Sequence, residues 1–237
     1  MVLAPYNLPE KSPRFSRSSS VYFISMQRAG HHAIINWLSG HYKQSILRND
    51  FYHEDRVEHT TANGTNKCTY SNIEDFSLKR SLEIIRSDSS HADPIIILVV
   101  RDPYNLFASR CSARFTVRSG AISDHAKIIW KDHANEYLSR HQIDFCISYN
   151  EWFLNQDYRI AIASIFGLDY NEDKLNQVPE YGFGSSFDGL QYNGRASQMK
   201  VLERWKEHKQ NAEFLNFIRD TEMKKLSTQI FGEICSF

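Results

Sequence analysis

Apolar residues in this chain fall in short continuous runs separated by stretches of helical period, and that alternation sets the expected architecture. Residues 21–25, 45–47, 95–100 and 143–148 read as strands. Runs such as Ile-Ile-Ile-Leu-Val-Val at 95–100 leave no polar face, which predicts strands covered on both sides. Helical period appears at 33–38, where Ala33, Ile34, Ile35, Trp37 and Leu38 share a face and Gly40 marks the end. It returns at 76–85, at 106–117, at 122–138, at 152–166 with Asn150 as cap and Gly167 as stop, and at 199–231 with a break near Thr221. The polar segment 49–66 carries Asn63-Gly64 as a turn signal and reads as a substrate loop; 182–186 reads as a flexible one. Strands separated by helices imply an α/β fold with a mostly parallel sheet, helices on its faces, and a ligand outside the carboxyl ends of the strands.

Two of the strands lead into segments suited to holding phosphate. Residues 21–25 run into Met26-Gln27-Arg28-Ala29-Gly30-His31-His32 and then a helix; residues 95–100 run into Arg101-Asp102-Pro103 and another helix. A strand, a short loop and a helix aim backbone N–H groups and the positive end of the helix dipole at an anion above the loop. Two such units predict a ligand with two separated phosphates.

At these residues the chain resembles the sulfotransferases that use 3′-phosphoadenosine 5′-phosphosulfate (PAPS). Arg28-Ala29-Gly30-His31-His32 stands where that family has Lys/Arg-Ser-Gly-Thr-Thr on the 5′-phosphosulfate. Arg101-Asp102-Pro103, with Ser109 eight positions after Arg101, matches the family's 3′-phosphate element, and Ser185-Ser186-Phe187 matches its Thr/Ser-Ser-Phe beside the nucleotide. The resemblance covers residues 20 to 205 and is close only at these elements. It implies a P-loop-like three-layer α/β/α fold, PAPS as co-substrate, PAP as product and no metal. It further implies nucleotide contacts at Arg28, Ala29, Gly30, His31, His32, Arg101, Ser109, Ser186 and Phe187, with Tyr149 near the adenine and Arg195 in a closing loop. Arg204 and Lys206 read as solvated.

His31 and His32 depart from the family's hydroxyl pair. An imidazole can donate to phosphate or transfer a proton, and both roles stay open. Arg28 is the natural counter-charge for the leaving phosphate, because sulfuryl transfer, like phosphoryl transfer, is governed by positioning and electrostatics. Family members take the acceptor's proton with a histidine or a glutamate, sometimes supplied after the first loop-helix unit; His53 and Glu54 offer both, with Glu54 favoured and His31, His32 and His59 in reserve.

Composition narrows the classes further. Lys+Arg and Asp+Glu both number 28, so the formal charge is zero, which argues against a general nucleic-acid binder. Cys68, Cys111, Cys146 and Cys235 are widely spaced, which favours free thiols over a zinc or disulfide framework. Residues 1–19 are polar with three prolines and read as a flexible lead-in to one domain at 20–237, and the longest apolar run is too short to span a bilayer. A cytoplasmic enzyme without membrane contact is the expectation.

Three other classes compete. A nucleotide kinase or other P-loop-like nucleotide-binding protein lacks its Gly-x-x-x-x-Gly-Lys-Ser/Thr here. A metal-dependent hydrolase built on His31, His32, His53, Glu54 and His59 is disfavoured because adjacent histidines seldom converge on one ion. A non-catalytic nucleotide-binding module would keep Arg101 and Ser109 without a base. The sequence therefore points to a sulfotransferase acting on a hydroxyl or amine of a small-molecule acceptor, for example a natural product.

Overall fold

Strand β1 (Ser18–Ser25) runs through the middle of the sheet, and its side chains divide between two cores. Val21 and Phe23 pack on one side; Tyr22 and Ile24 pack on the other. That double burial is why the run carries no polar face. The computed structural model describes residues 18–42, 44–52, 57–61, 67–88, 93–113, 118–179 and 188–234. His53, Glu54, the Asn63-Gly64 turn, Ser185-Ser186-Phe187, Cys235 and most of the expected lead-in lie outside these residues.

Six strands form one sheet in the order β3-β2-β4-β1-β5-β6. Strands β2 (Gln44–Asn49), β4 (Lys67–Glu74), β1, β5 (Ile95–Val100) and β6 (Phe145–Ser148) are mutually parallel. Edge strand β3 (Val57–Thr61) pairs antiparallel with β2, Ser45 facing Thr61 and Asn49 facing Val57. Helices α1 (His31–Ser39), α5 (Tyr149–Leu154) and α6 (Gln156–Ile165) cover one face, through Ile34, Trp37, Trp152 and Ile162. On the other face lie α2 (Leu78–Ser87), with Leu78, Leu82 and Ile85, and the tips of α4 (Asp124–Ser139) and α8 (Thr221–Phe231). This is the expected three-layer α/β/α arrangement. A third cluster joins Met26 and Ala29 to α3 (Pro103–Cys111), α4, α7 (Ala212–Ile218) and α8.

Several expectations need correction. The segment 49–66, read as a loop, contains β3, whose pairing depends on a distant partner strand. Strand β4 escaped prediction altogether, because its buried Ser71, Asn72 and Glu74 look like surface positions in sequence. The stretch 152–166 is two helices, since Asn155 accepts from Tyr158 N–H (3.3 Å) and starts α6 anew. Ser148, not Asn150, caps α5, accepting from Glu151 N–H (3.3 Å). The stretch expected as a helix from 199 resolves into a 3₁₀ turn (Arg204–His208), α7 capped by Asn211, and α8 capped by Asp220. Cys68, Cys111 and Cys146 are free thiols, those of Cys68 and Cys146 pushed up to about 12 by burial. Among the described residues no helix is long and apolar enough to cross a membrane.

Candidate functional site

All five parallel strands end on the same side, so Ser25, Asn49, Glu74, Val100 and Ser148 bring their following residues to one edge of the sheet. Chain order also reverses direction about β1, with β4 and β2 on one side and β5 and β6 on the other. Such switch points open a crevice for ligands. A cleft of about 280 Å³ lies there, lined by Arg28, Gly30, His31, His32, Glu74, Arg101, Tyr149 and Arg204 among others.

The loop after β1 is held from beneath. Met26 and Ala29 insert into the third cluster, and Ala29 N–H donates to Met26 C=O (3.0 Å), so this residue's methyl and amide both serve the turn. Gln27 N–H donates to Asp75 Oδ1 (2.9 Å). Arg28 takes a left-handed backbone (φ 73°), an unfavourable state for a side chain other than glycine, and it turns toward the cleft. Gly30 (φ 93°) precedes α1 and lies against Tyr149; a Cβ there would sit 2.2 Å from the Tyr149 ring. Gly30 has no side chain with which to cap α1, and Gly30, His31, His32 and Ala33 line the cleft, so the start of this helix lies where an anion is favoured.

Arg101 is buried and donates to Arg28 C=O (2.9 Å), Ser109 Oγ (3.2 Å) and Val201 C=O, while its Nε has no hydrogen-bond partner among the described residues. Its guanidinium lies 5.0 Å from the centre of the Tyr149 ring. Asp102 does not pair with it: the carboxylate caps α3, accepting from Asn105 N–H (2.9 Å) and Asn150 Nδ2 (2.9 Å). Arg204, expected in solvent, is buried in the cleft and donates from Nη1 to the same Ser109 Oγ (2.9 Å) and from Nη2 to Asp188 (3.4 Å). Its signal in the sequence was invisible, since the 3₁₀ turn that aims it inward exists only through its packing on α3.

Three guanidiniums therefore share one cleft. Burial pulls Arg28 down to about 10, Glu74 opposing and Arg101 adding to the shift; burial and then Arg101 bring Arg204 to about 10 as well. Arg101 is lowered too, chiefly by burial. All remain cations at neutral pH, and their mutual repulsion is relieved by an anion placed among them.

On the β4 side, His31 and His32 converge on Glu74, their rings 4.1 Å apart. His31 Nε2 is 2.7 Å and His32 Nε2 3.7 Å from Glu74 Oε1. Ser25 Oγ fixes His31 Nδ1 (2.8 Å), Asn49 Oδ1 meets His32 Nε2 (2.9 Å), and Asn72 Nδ2 donates to Glu74 Oε1 (2.9 Å). Adjacency in sequence thus did not keep the two imidazoles apart. Burial would raise the Glu74 carboxyl, but charge and hydrogen bonding from His31, then His32 and Gln27, outweigh it and hold the group well below the usual carboxylate range. Burial, then His31, hold His32 near 3. Glu74, Asn72, Asn49 and Arg204 are the site residues that sequence reasoning missed; a polar Ser71-Asn72 pair followed by Glu74-Asp75 ahead of a helix was the available trace of a strand ending in a site.

Other expected site residues lie elsewhere. Ser109 is buried behind Arg101 and Arg204 and does not line the cleft. Arg195 is exposed, its guanidinium 5.4 Å from the Tyr192 ring, while the next residues, Ala196 and Ser197, do line the cleft.

No family model matches the chain, and no curated protein matches it in sequence. Among solved structures it is similar to the mouse sulfotransferase SULT7A1 complexed with PAP, at 10% identity and a TM-score of 0.43, over 89% of this chain and 88% of that one.

Proposed function

We propose that the protein is a sulfotransferase that moves the sulfuryl group of PAPS to a hydroxyl or amine of a small acceptor and releases PAP. The observation that carries this reading is the convergence of Arg28, Arg101 and Arg204 on one cleft, with the Ser109 hydroxyl between two of them. A ligand with phosphates at two separate points offsets that much positive charge. Arg28 and the uncapped first turn of α1 take the 5′-phosphosulfate; Arg101 and Arg204, braced by Ser109, take the 3′-phosphate; Tyr149 faces the nucleoside. Ser186, Phe187 and Arg195 remain further proposed contacts.

Calorimetry tests the nucleotide assignment. PAP is expected to bind at least tenfold more tightly than its 3′-dephosphorylated form, because charge-assisted hydrogen bonds contribute about 1.5–3 kcal/mol each. Arg204→Ala should remove most of that preference without the structural loss that Arg101→Ala brings, since Arg101 also holds two backbone carbonyls. Equal affinity of the unsubstituted protein for both nucleotides would defeat the proposal.

For the base, we favour His32, with Glu74 stabilising the imidazolium that forms, over His53 or Glu54. His32 lines the cleft, and the negative charge of an arriving phosphosulfate raises a depressed imidazole toward its working range. Free protein with a group near 3 predicts kcat/KM for PAPS that stays flat through the weakly acidic range, with no limb near 6.5. His32→Ala and Glu74→Gln should each lower kcat by about 10²-fold with PAP affinity changed far less. Near-normal turnover in both variants would return the role to residues 53–54.

A further inference from the structure

We propose that His31, His32 and Glu74 also form a binding site for a single zinc-class divalent ion, and that an ion seated there inhibits turnover by engaging the imidazole of His32, the group that must receive the acceptor's proton. Adjacent histidines seldom converge on one ion, yet here two imidazole nitrogens and the carboxylate oxygen of Glu74 lie within 4.8 Å of one another at the cleft edge. Two histidines with one glutamate form a donor set that zinc takes with a fourth position left to water or substrate. All three residues line the cleft, so an ion held by them would be within reach of a ligand bound there.

The surroundings suit a nitrogen-ligated ion. In the metal-free form His31 Nε2–H donates to Glu74; an incoming ion displaces that proton, and the ring's remaining N–H, on Nδ1, is then donated to Ser25 Oγ (2.8 Å), the arrangement by which outer partners orient metal-binding histidines. Asn72 Nδ2 donates to the Glu74 oxygen that faces the imidazoles (2.9 Å) and so fixes that carboxylate oxygen toward them. In the hydrogen-bonded form His31 Nε2 and Glu74 Oε1 are 2.7 Å apart; bonds of about 2.0–2.1 Å in a tetrahedron require a separation of roughly 3.3 Å, a shift that side-chain rotation supplies. The nearby arginines oppose a cation held by charge alone, which excludes magnesium and calcium; imidazole donors suit zinc, cobalt, nickel and copper instead.

Cobalt titration of the full-length protein, followed by visible absorption, gives a readout separate from activity. The expected result is one equivalent of Co²⁺ with the intense bands of a four-coordinate ion, displaced by Zn²⁺. His32→Asn and Glu74→Gln should each weaken Zn²⁺ binding at least tenfold, and Ser25→Ala by about tenfold through loss of the outer partner. If Glu74→Gln does not fold, the partly exposed His32 position carries the test. Absence of the bands, or Zn²⁺ binding unchanged in His32→Asn, overturns the proposal. Binding itself does not depend on the sulfotransferase reading; only the chelator-reversible loss of turnover rests on it, so failure of the one is distinguishable from failure of the other.

Discussion

Replacing Arg28 with alanine is expected to lower kcat by about 10²–10³-fold while the affinity for PAP falls far less. The reason is where charge develops. The bridging oxygen between sulfur and the 5′-phosphate becomes negative only as the sulfuryl group leaves, so a cation aimed at it is worth more in the transition state than in the bound ground state. Arg28 has the position for this at the turn between β1 and α1, in a cleft where burial strengthens its field. Its left-handed backbone supplies a control: Arg28→Gly removes the guanidinium and relieves the φ of 73°, and so should be at least as stable as the parent yet equally slow. Arg28→Lys should retain part of the rate, keeping a point charge without the fork. Single-turnover measurements at saturating PAPS check all three. A variant that binds PAPS weakly but turns over normally at saturation would remove Arg28 from the chemistry.

Arg110→Ala should destabilise the fold by about 3–5 kcal/mol, the cost of leaving a buried charge without its partner. Arg110 and Asp75 are both fully buried and paired through two hydrogen bonds, 2.8 Å and 3.1 Å. Arg110 further donates to the carbonyls of Gln27 (3.2 Å), Gly120 (2.7 Å) and Ala121 (3.2 Å), while Asp75 accepts from Gln27 N–H (2.9 Å) and Ser119 N–H (3.2 Å). The pair therefore ties the end of β4, the loop after β1, α3 and the approach to α4 into one unit. Removing the cation also loosens the loop that carries Arg28, so PAP affinity should fall together with stability. Urea unfolding should show a lower midpoint at unchanged slope. A shift worth less than about 1 kcal/mol would mean that water or neighbouring groups take over the Asp75 carboxylate.

Taken by itself, the order of residues determined the layering of this protein. The apolar runs at 21–25, 95–100 and 143–148 became the parallel strands β1, β5 and β6, because a strand buried on both faces has no position where a polar side chain reaches water. The loop around Arg28 and Gly30 and the Arg101-Asp102-Pro103 turn were legible for the same reason: each follows such a strand directly, so its place at the sheet's carboxyl edge is local information. Tertiary structure alone decided the rest of the site. Strand β4 had no apolar run to mark it, since its Asn72 and Glu74 are buried through partners from elsewhere in the chain, Asn72 accepting from Asp50 N–H and Glu74 meeting His31 of α1. Arg204 lies 103 positions beyond Arg101, yet both donate to one hydroxyl, Ser109. His31 and His32 read as two neighbours on a helix start until β4 supplied the carboxylate that draws both rings together. Hydrophobic period is written along the chain within a few residues, whereas a buried polar group is tolerable only if distant segments complete its hydrogen bonds, and which segments do so is settled when the sheet assembles.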